Sequence, residues 1–418
     1  MKFSAPKGIH DILPPDIYIW QKAEAAAREM FQTYGYHEIR IPIIEHTEIF
    51  TRSIGENTDI VEKEMYTFSD RGGRSITLRP EGTASAVRCF IEHNLYNLPP
   101  PQKFFYTGPM FRYERPQKGR FRQFYQVGVE AFGEANPSLD AEIIAMLCSF
   151  LKKIELDGIN FELNSIGCEK CRPDYKNALL EFFQGKLGSL CPDCQRRYTL
   201  NPLRILDCKV DRCIALRQGS PLIPEHLCDD CRWHFEELKD RLKSLQIPYT
   251  LNPELVRGLD YYTKTTFEAT SNHLGSQKAV AAGGRYDRLV EEFGGPSTPA
   301  IGFAIGMERL ITLLTEAADI RLPSPAFYIA TIGRDAEIEG LKIAEGLREK
   351  GCRVEIHYGG ASLKSQLRKA DRMNAEYALI LGDDELKTGT IKWKNLKDKR
   401  QGEAGLADIP SILNRVCP

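Results

Sequence analysis

Residues 111–124 read Phe111-Arg112-Tyr113-Glu114-Arg115-Pro116-Gln117-Lys118-Gly119-Arg120-Phe121-Arg122-Gln123-Phe124. The pattern predicts two strands around a polar loop, with arginines, a carboxylate and aromatic rings crowded into the turn. A guanidinium fork grips phosphate oxygens in pairs, and an aromatic face stacks on a purine. Such a hairpin suits a nucleoside triphosphate. Taken alone it reads equally well as a solvated, salt-bridged hairpin.

Downstream, Gly302-Phe303-Ala304-Ile305-Gly306-Met307-Glu308-Arg309-Leu310 predicts a strand running into a helix with another arginine near its first turn. The two segments together resemble motifs 2 and 3 of the class II aminoacyl-tRNA synthetases. Gly35-Tyr36 through Pro42 is similar to that family's motif 1, a dimer element, and Thr77-Leu78-Arg79-Pro80-Glu81-Gly82-Thr83 to its amino-acid-binding turn. Leu255-Val256-Arg257-Gly258-Leu259-Asp260-Tyr261-Tyr262 and Ala282-Gly283-Gly284-Arg285-Tyr286-Asp287 resemble the histidine-specific motifs of bacterial-type histidyl-tRNA synthetases. The resemblance covers nearly the whole chain, in the family's order.

It implies an α+β fold: a class II antiparallel sheet with flanking helices, a helical cysteine-rich insertion domain and a C-terminal α/β anticodon-binding domain. The corresponding boundaries are 1–166 and 251–320 for the two parts of the catalytic domain, 167–250 for the insertion and 326–418 for the anticodon-binding domain. It also implies a homodimer that takes histidine, ATP with Mg2+ and the tRNA for histidine. Histidyl-adenylate and pyrophosphate form first, and the histidyl group then passes to the 3′ end of the tRNA. That chemistry demands positive groups around developing negative charge. By resemblance, Arg112 and Arg257 are the catalytic arginines, and Arg112, Glu114, Phe124 and Arg309 bind ATP.

An imidazole offers a donor and an acceptor that a carboxylate and a tyrosine hydroxyl can satisfy. The resemblance assigns the histidine pocket to Glu81, Thr83, Gln126, Glu130, Tyr261, Tyr262 and Tyr286, with Glu81 and Thr83 at the α-amino end. Arg115 and Gln117, in a loop shared with Lys118, Arg120 and Arg122, correspond to residues that read the extra 5′ guanylate and discriminator base of the tRNA. A second basic group, Lys387, Lys392, Lys394, Lys397, Lys399 and Arg400, reads as an anticodon-stem contact or as a solvated face.

Eight cysteines form pairs at near-ligand spacing: Cys168/Cys171, Cys191/Cys194, Cys208/Cys213 and Cys228/Cys231. In a reducing compartment this suggests metal more than disulfides, and eight thiolates suffice for two closed tetrahedral zinc sites. Reduced thiols packed in a helical insert are the alternative. A closed site leaves no open position, so a metal here stabilises and does not catalyse.

The chain's 418 residues, net charge of −1 and 27% charged content describe a multidomain globular protein that meets nucleic acid through local patches, not global charge. No apolar run approaches a membrane span, and the N-terminus lacks a secretory pattern, so the expected location is the cytoplasm. Apolar spacing predicts a helix from Asp16 to Tyr34, strand-rich sequence from Ile39 to Phe132 including a run at Ile39–Ile44, and a helix from about Ser138. The sheet is expected to resume at Leu255, with Arg257 at a strand end. After a linker at Ala318–Pro325, alternating elements predict a largely parallel sheet.

Two other functions compete. A synthetase-like regulatory subunit of ATP phosphoribosyltransferase keeps the class II core but typically lacks the anticodon domain and parts of the catalytic motifs. A zinc-ribbon nucleic-acid-binding protein with a vestigial core would not need the phosphate and pocket residues.

Overall fold

The computed structural model describes residues 3–55, 58–117, 119–275, 278–317 and 324–406; Lys118 and most of the expected linker 318–325 lie outside these. The chain divides into two units, Met1–Ile320 and Arg321–Pro418.

In the first unit an eight-stranded sheet runs in the order His37–Glu38, Gln102–Phe111, Gln123–Phe132, Ala300–Gly306, Ala279–Arg285, Thr263–Thr270, Asn160–Ser165 and Thr250–Leu251. The two short edge strands pair in parallel and every inner pairing is antiparallel. Side chains alternate across such a strand. Along Gln123–Phe132, Val127, Val129 and Ala131 join the core that helices Asp16–Thr33 and Pro137–Lys153 cover, around Phe31, Phe105, Phe150 and Phe303. Phe124, Gln126 and Glu130 are thereby sent to the opposite face. Asn136 Oδ1 caps the second of these helices by accepting from the Ser138 amide at 2.9 Å, with Pro137 at its first position.

The Ile39–Ile44 strand does not form. His37–Glu38 and Ile44–His46 are separate short strands in different sheets, with irregular backbone between them. Pro42 has no amide to donate, and the Ile41 carbonyl accepts from Arg79 Nη1 at 2.7 Å instead of from a strand partner. After the insertion the chain rejoins the sheet at the short edge strand Thr250–Leu251 and again only at Thr263, not at Leu255, which leaves Arg257 in an irregular loop between the two. There the backbone is held by side chains: Asn164 Nδ2 donates to the Leu255 carbonyl at 3.0 Å.

The second unit holds a five-stranded sheet in the order Val354–Ile356, Phe327–Thr331, Tyr377–Leu381, Thr390–Asn395 and Gln401–Gly405. Its first three strands are parallel, as the alternation predicts. The last two add antiparallel pairings that lysine-rich sequence concealed. Several of those basic groups face acids: Lys392 Nζ lies 2.6 Å from Glu385, and Arg400 Nη2 lies 2.6 Å from Asp398.

Candidate active site

The sheet face opposite the helices floors a cleft of about 880 Å³ that holds the arginine hairpin, the Leu255–Tyr262 loop and Arg309. Arg112 follows the Gln102–Phe111 strand; its Nε donates to the Pro80 carbonyl at 2.8 Å, and its guanidinium lies 5.3 Å from the Phe124 ring centre. Glu114 sits 3.9 Å from Arg112 Nη1 and 3.1 Å from Arg120 Nε. Arg309, in the first turn of the Met307–Ala317 helix, donates to the carbonyls of Ala279 at 2.8 Å and Gly119 at 3.3 Å, tying the hairpin turn to the sheet. Burial and then the charge of Arg120 pull the Arg309 guanidinium below its usual basicity, with Arg112 adding to the effect. Cations held together in a partly dry cleft present a positive field to an anion.

Beside the arginines lies a pocket of hydroxyls and carboxylates. Glu130 is 1% exposed and accepts from Thr83 Oγ1 at 2.7 Å, Tyr106 Oη at 3.0 Å and Tyr286 Oη at 2.5 Å. Burial pushes its carboxyl up to about 8, against the pull of the Tyr286 and Thr83 hydroxyls. Glycines make room: a Cβ at Gly302, directly across from Glu130 in the sheet, would lie 2.0 Å from its carboxylate, and one at Gly128 would lie 2.2 Å from the Tyr106 ring. Glu81 accepts from the amides of Thr83 at 2.6 Å and Ala84 at 2.9 Å, so it also caps the Thr83–Glu92 helix. Tyr261 and Tyr262 are buried with ring centres 4.7 Å apart, and Tyr261 meets Tyr286 edge-on at 5.8 Å. Gln126 Oε1 is buried in the same cleft with no hydrogen-bond partner among the described residues. An orphan acceptor in a pocket is an unmet demand for a donor.

Arg257 pairs with Glu268 and lies 5.6 Å from the Tyr262 ring centre, while its Nε is buried with no partner among the described residues. The structure thus brings together every residue assigned to the histidine and ATP sites. Arg115 and Gln117 stand apart on the exposed turn, where the Gln117 and Arg120 backbones bond to each other at 3.1 and 2.9 Å.

Three participants escaped the sequence reading. Tyr106 looks like a core residue of its strand; only the facing Gly82 and Gly128 hint at a ring lying between them. Glu268, with Lys264 one of two charges on the Thr263–Thr270 strand, had as its only signal a carboxylate among hydroxyl and apolar side chains. Asp140 pairs with the fully buried Arg285 at 2.7 Å and with His234 at 2.9 Å, which anchors the strand that leads into Tyr286.

The cysteines segregate into two tetrads, Cys168/Cys171/Cys228/Cys231 and Cys191/Cys194/Cys208/Cys213, with all four sulfurs of each within 4.8 Å of one another. Individual separations are 3.7 Å for Cys168–Cys171, 3.9 Å for Cys168–Cys228 and 3.8 Å for Cys191–Cys208. A tetrahedron of thiolates with metal–sulfur bonds of about 2.3 Å has edges of about 3.8 Å. Backbone amides of Cys228 and Cys191 point at Cys171 Sγ and Cys213 Sγ at 3.1 and 3.2 Å, as around thiolates.

An antiparallel sheet carrying two arginine motifs over a triphosphate-sized cleft defines a class II aminoacyl-tRNA synthetase. Residues 8–310 match the family model described as histidyl-tRNA synthetase, and residues 326–415 match one described as an anticodon binding domain. The histidine–tRNA ligase of Thermodesulfovibrio yellowstonii is 53% identical over 415 residues, which is 99% of both chains. The apo histidyl-tRNA synthetase of S. aureus superimposes with a TM-score of 0.83 at 38% identity, covering 98% of this chain and 99% of that one. A Bacillus halodurans C chain described as an ATP phosphoribosyltransferase regulatory subunit/histidyl-tRNA synthetase shares the fold at a TM-score of 0.65 and 21% identity, over 91% of this chain and 98% of that one. The chain belongs to the histidyl-tRNA synthetase family.

Proposed function

We propose that the chain is a histidine–tRNA ligase that activates histidine with ATP in the cleft and then esterifies the 3′ end of its tRNA. In this reading the imidazole enters beside Glu130 and the three tyrosines, and Gln126 Oε1 gains the donor it lacks. Glu130 has two oxygens and three hydroxyl donors, which leaves one acceptor site for an imidazole N–H. Glu81 and Thr83 receive the α-amino group. ATP lies with its adenine on Phe124 and its amino group at Glu114, its phosphates among Arg112 and Arg309. Magnesium enters with the nucleotide, as a counter-ion to its triphosphate; Glu114, Glu268 and Glu308 line the cleft with the oxygen donors it takes. The regulatory-subunit alternative is disfavoured because the catalytic arginines and an anticodon-binding domain are both present.

Arg257 carries the reading. Held by Glu268 and the Tyr262 ring, with a buried Nε that has no hydrogen-bond partner among the described residues, it keeps hydrogen-bonding capacity for the place where the histidine carboxylate attacks the α-phosphate. Arg257→Ala should slow single-turnover adenylation by about 100-fold or more, the loss typical of a group stabilising developing charge. A rate within a few-fold of the parent contradicts the assignment.

The coarser features follow the same reading. Exposed Ile43 and Ile44, at 42 and 48%, directly follow the motif 1 segment, and exposed Phe68, at 46%, stands on the same small three-stranded sheet as Ile44; these suit a homodimer. Arg115 and Gln117 are free to meet the acceptor end of tRNA. The two tetrads suit one structural zinc ion each, in agreement with their sulfur spacing. No helix among the described residues is long and apolar enough to cross a membrane, and the clustered thiols suit the cytoplasm.

A further inference from the structure

We infer that the two cysteine tetrads, loaded with zinc, are positioning devices for adenylation: they brace the arms that hold the Val256–Tyr262 loop. This rests on the zinc reading above. The loop has no strand or helix of its own, yet it carries Arg257, Tyr261 and Tyr262 into the cleft. Its backbone and side chains are held from the insertion. Arg204 Nη1 donates to the Arg257 carbonyl at 3.4 Å, Asn201 Nδ2 to Asp260 Oδ1 at 3.0 Å, and Arg172 to the Tyr262 carbonyl.

Each of these arms is rooted in a tetrad. Arg172 directly follows Cys171 and opens the Arg172–Gln184 helix. Asn201 caps the end of the short Pro192–Leu200 helix and Arg204 lies in the Pro202–Ile205 turn after it, a stretch that the second tetrad gathers at both ends through Cys191 and Cys194 on one side and Cys208 on the other. Cys191 and Cys208 themselves line the cleft, and Arg217 joins the Cys208 carbonyl at 3.2 Å to Glu254 at 3.0 Å, just ahead of the loop. The Pro192–Leu200 helix buries only Cys194, so the free energy of metal binding supports its folding. Losing the metal loosens the arms, the arms release the loop, and Arg257 and Tyr262 lose their registration. The zinc of the tetrads acts through this bracing alone.

The test uses full-length protein purified under reducing conditions with zinc supplied. Zinc is quantified by elemental analysis, then removed with a chelator that is itself removed before magnesium is restored. Expected are two zinc ions per chain, faster amide hydrogen exchange in 255–262 after stripping, and a fall of about tenfold or more in kcat/KM for histidine during pyrophosphate exchange, reversed by zinc. Stripped protein with unchanged loop protection and unchanged histidine kinetics overturns the coupling and leaves the zinc reading standing. Absence of zinc from the starting protein overturns both. Should stripping unfold the protein, Asn201→Ala and Arg204→Ala provide the second measurement. Folded and still zinc-loaded, each should raise the KM for histidine about five-fold with the KM for ATP unchanged. Unaltered histidine kinetics in both would refute the inference.

Discussion

Replacing Glu130 with Gln keeps the size of the most enclosed carboxylate of the pocket and exchanges one of its oxygens for an amide donor. The parent carboxylate gathers hydroxyls at 2.5, 2.7 and 3.0 Å and, in the proposed complex, the imidazole N–H. An amide donor facing the pocket's other donors is left unpaired at a cost of roughly 1–3 kcal/mol, so Glu130→Gln should lower kcat/KM for histidine by about 5- to 150-fold. The KM for ATP should change little, because Phe124 and the arginines are untouched. Stability should move the other way as pH rises. Burial lifts Glu130 from 4.5 to about 8, so between those values the folded protein binds more protons than the unfolded chain. Native stability contributed at this position is therefore present at low pH and lost as pH climbs toward 8, and the amide escapes that loss. The melting temperature of the variant relative to the parent should rise across this window. Pyrophosphate exchange titrated separately with histidine and ATP, together with melting curves across the pH range, checks both halves. Equal losses for the two substrates, or histidine kinetics within about threefold of the parent, would refute the pocket assignment.

Two further perturbations probe other parts of the molecule. Gln117→Ala, on the exposed turn, should slow transfer to tRNA while sparing pyrophosphate exchange; an equal defect in exchange would assign the residue to adenylation instead. Asp140→Ala takes from the fully buried Arg285 the nearer of its two carboxylates, leaving Asp287 at 3.0 Å, and should destabilise the first unit by about 3 kcal/mol, seen as a lower denaturant midpoint; a shift under about 1 kcal/mol would mean Asp287 and the backbone carbonyls suffice for the guanidinium.

The central sheet, its flanking helices and the two arginine motifs were legible because they rest on local periodicity and on residue types that phosphate chemistry demands. The cysteine spacing predicted pairs, but which pairs join is a matter of the path from Cys171 to Cys228, some 57 residues that only the folded insertion brings round. The misplaced strand at Ile39–Ile44 had the right β-branched content; Arg79, distant in sequence, captured its carbonyl. Arg257 was identified as a site residue, yet its setting was misread, because a loop whose carbonyls are held by Arg204 and Arg172 leaves no periodic trace. Tyr106 was hidden for a similar reason: its hydroxyl reaches a carboxylate on the neighbouring strand, a cross-strand relation that no window of sequence contains.

Exchange of labelled pyrophosphate into ATP, run with each of the standard amino acids in turn on the purified full-length protein, tests most directly whether this cleft activates histidine. Histidine should support exchange, and side chains that leave Glu130 and the tyrosine hydroxyls without an imidazole should be used about 10⁴-fold less well. A folded, magnesium-supplied sample that is silent with histidine, or that uses phenylalanine as readily, would contradict the assignment.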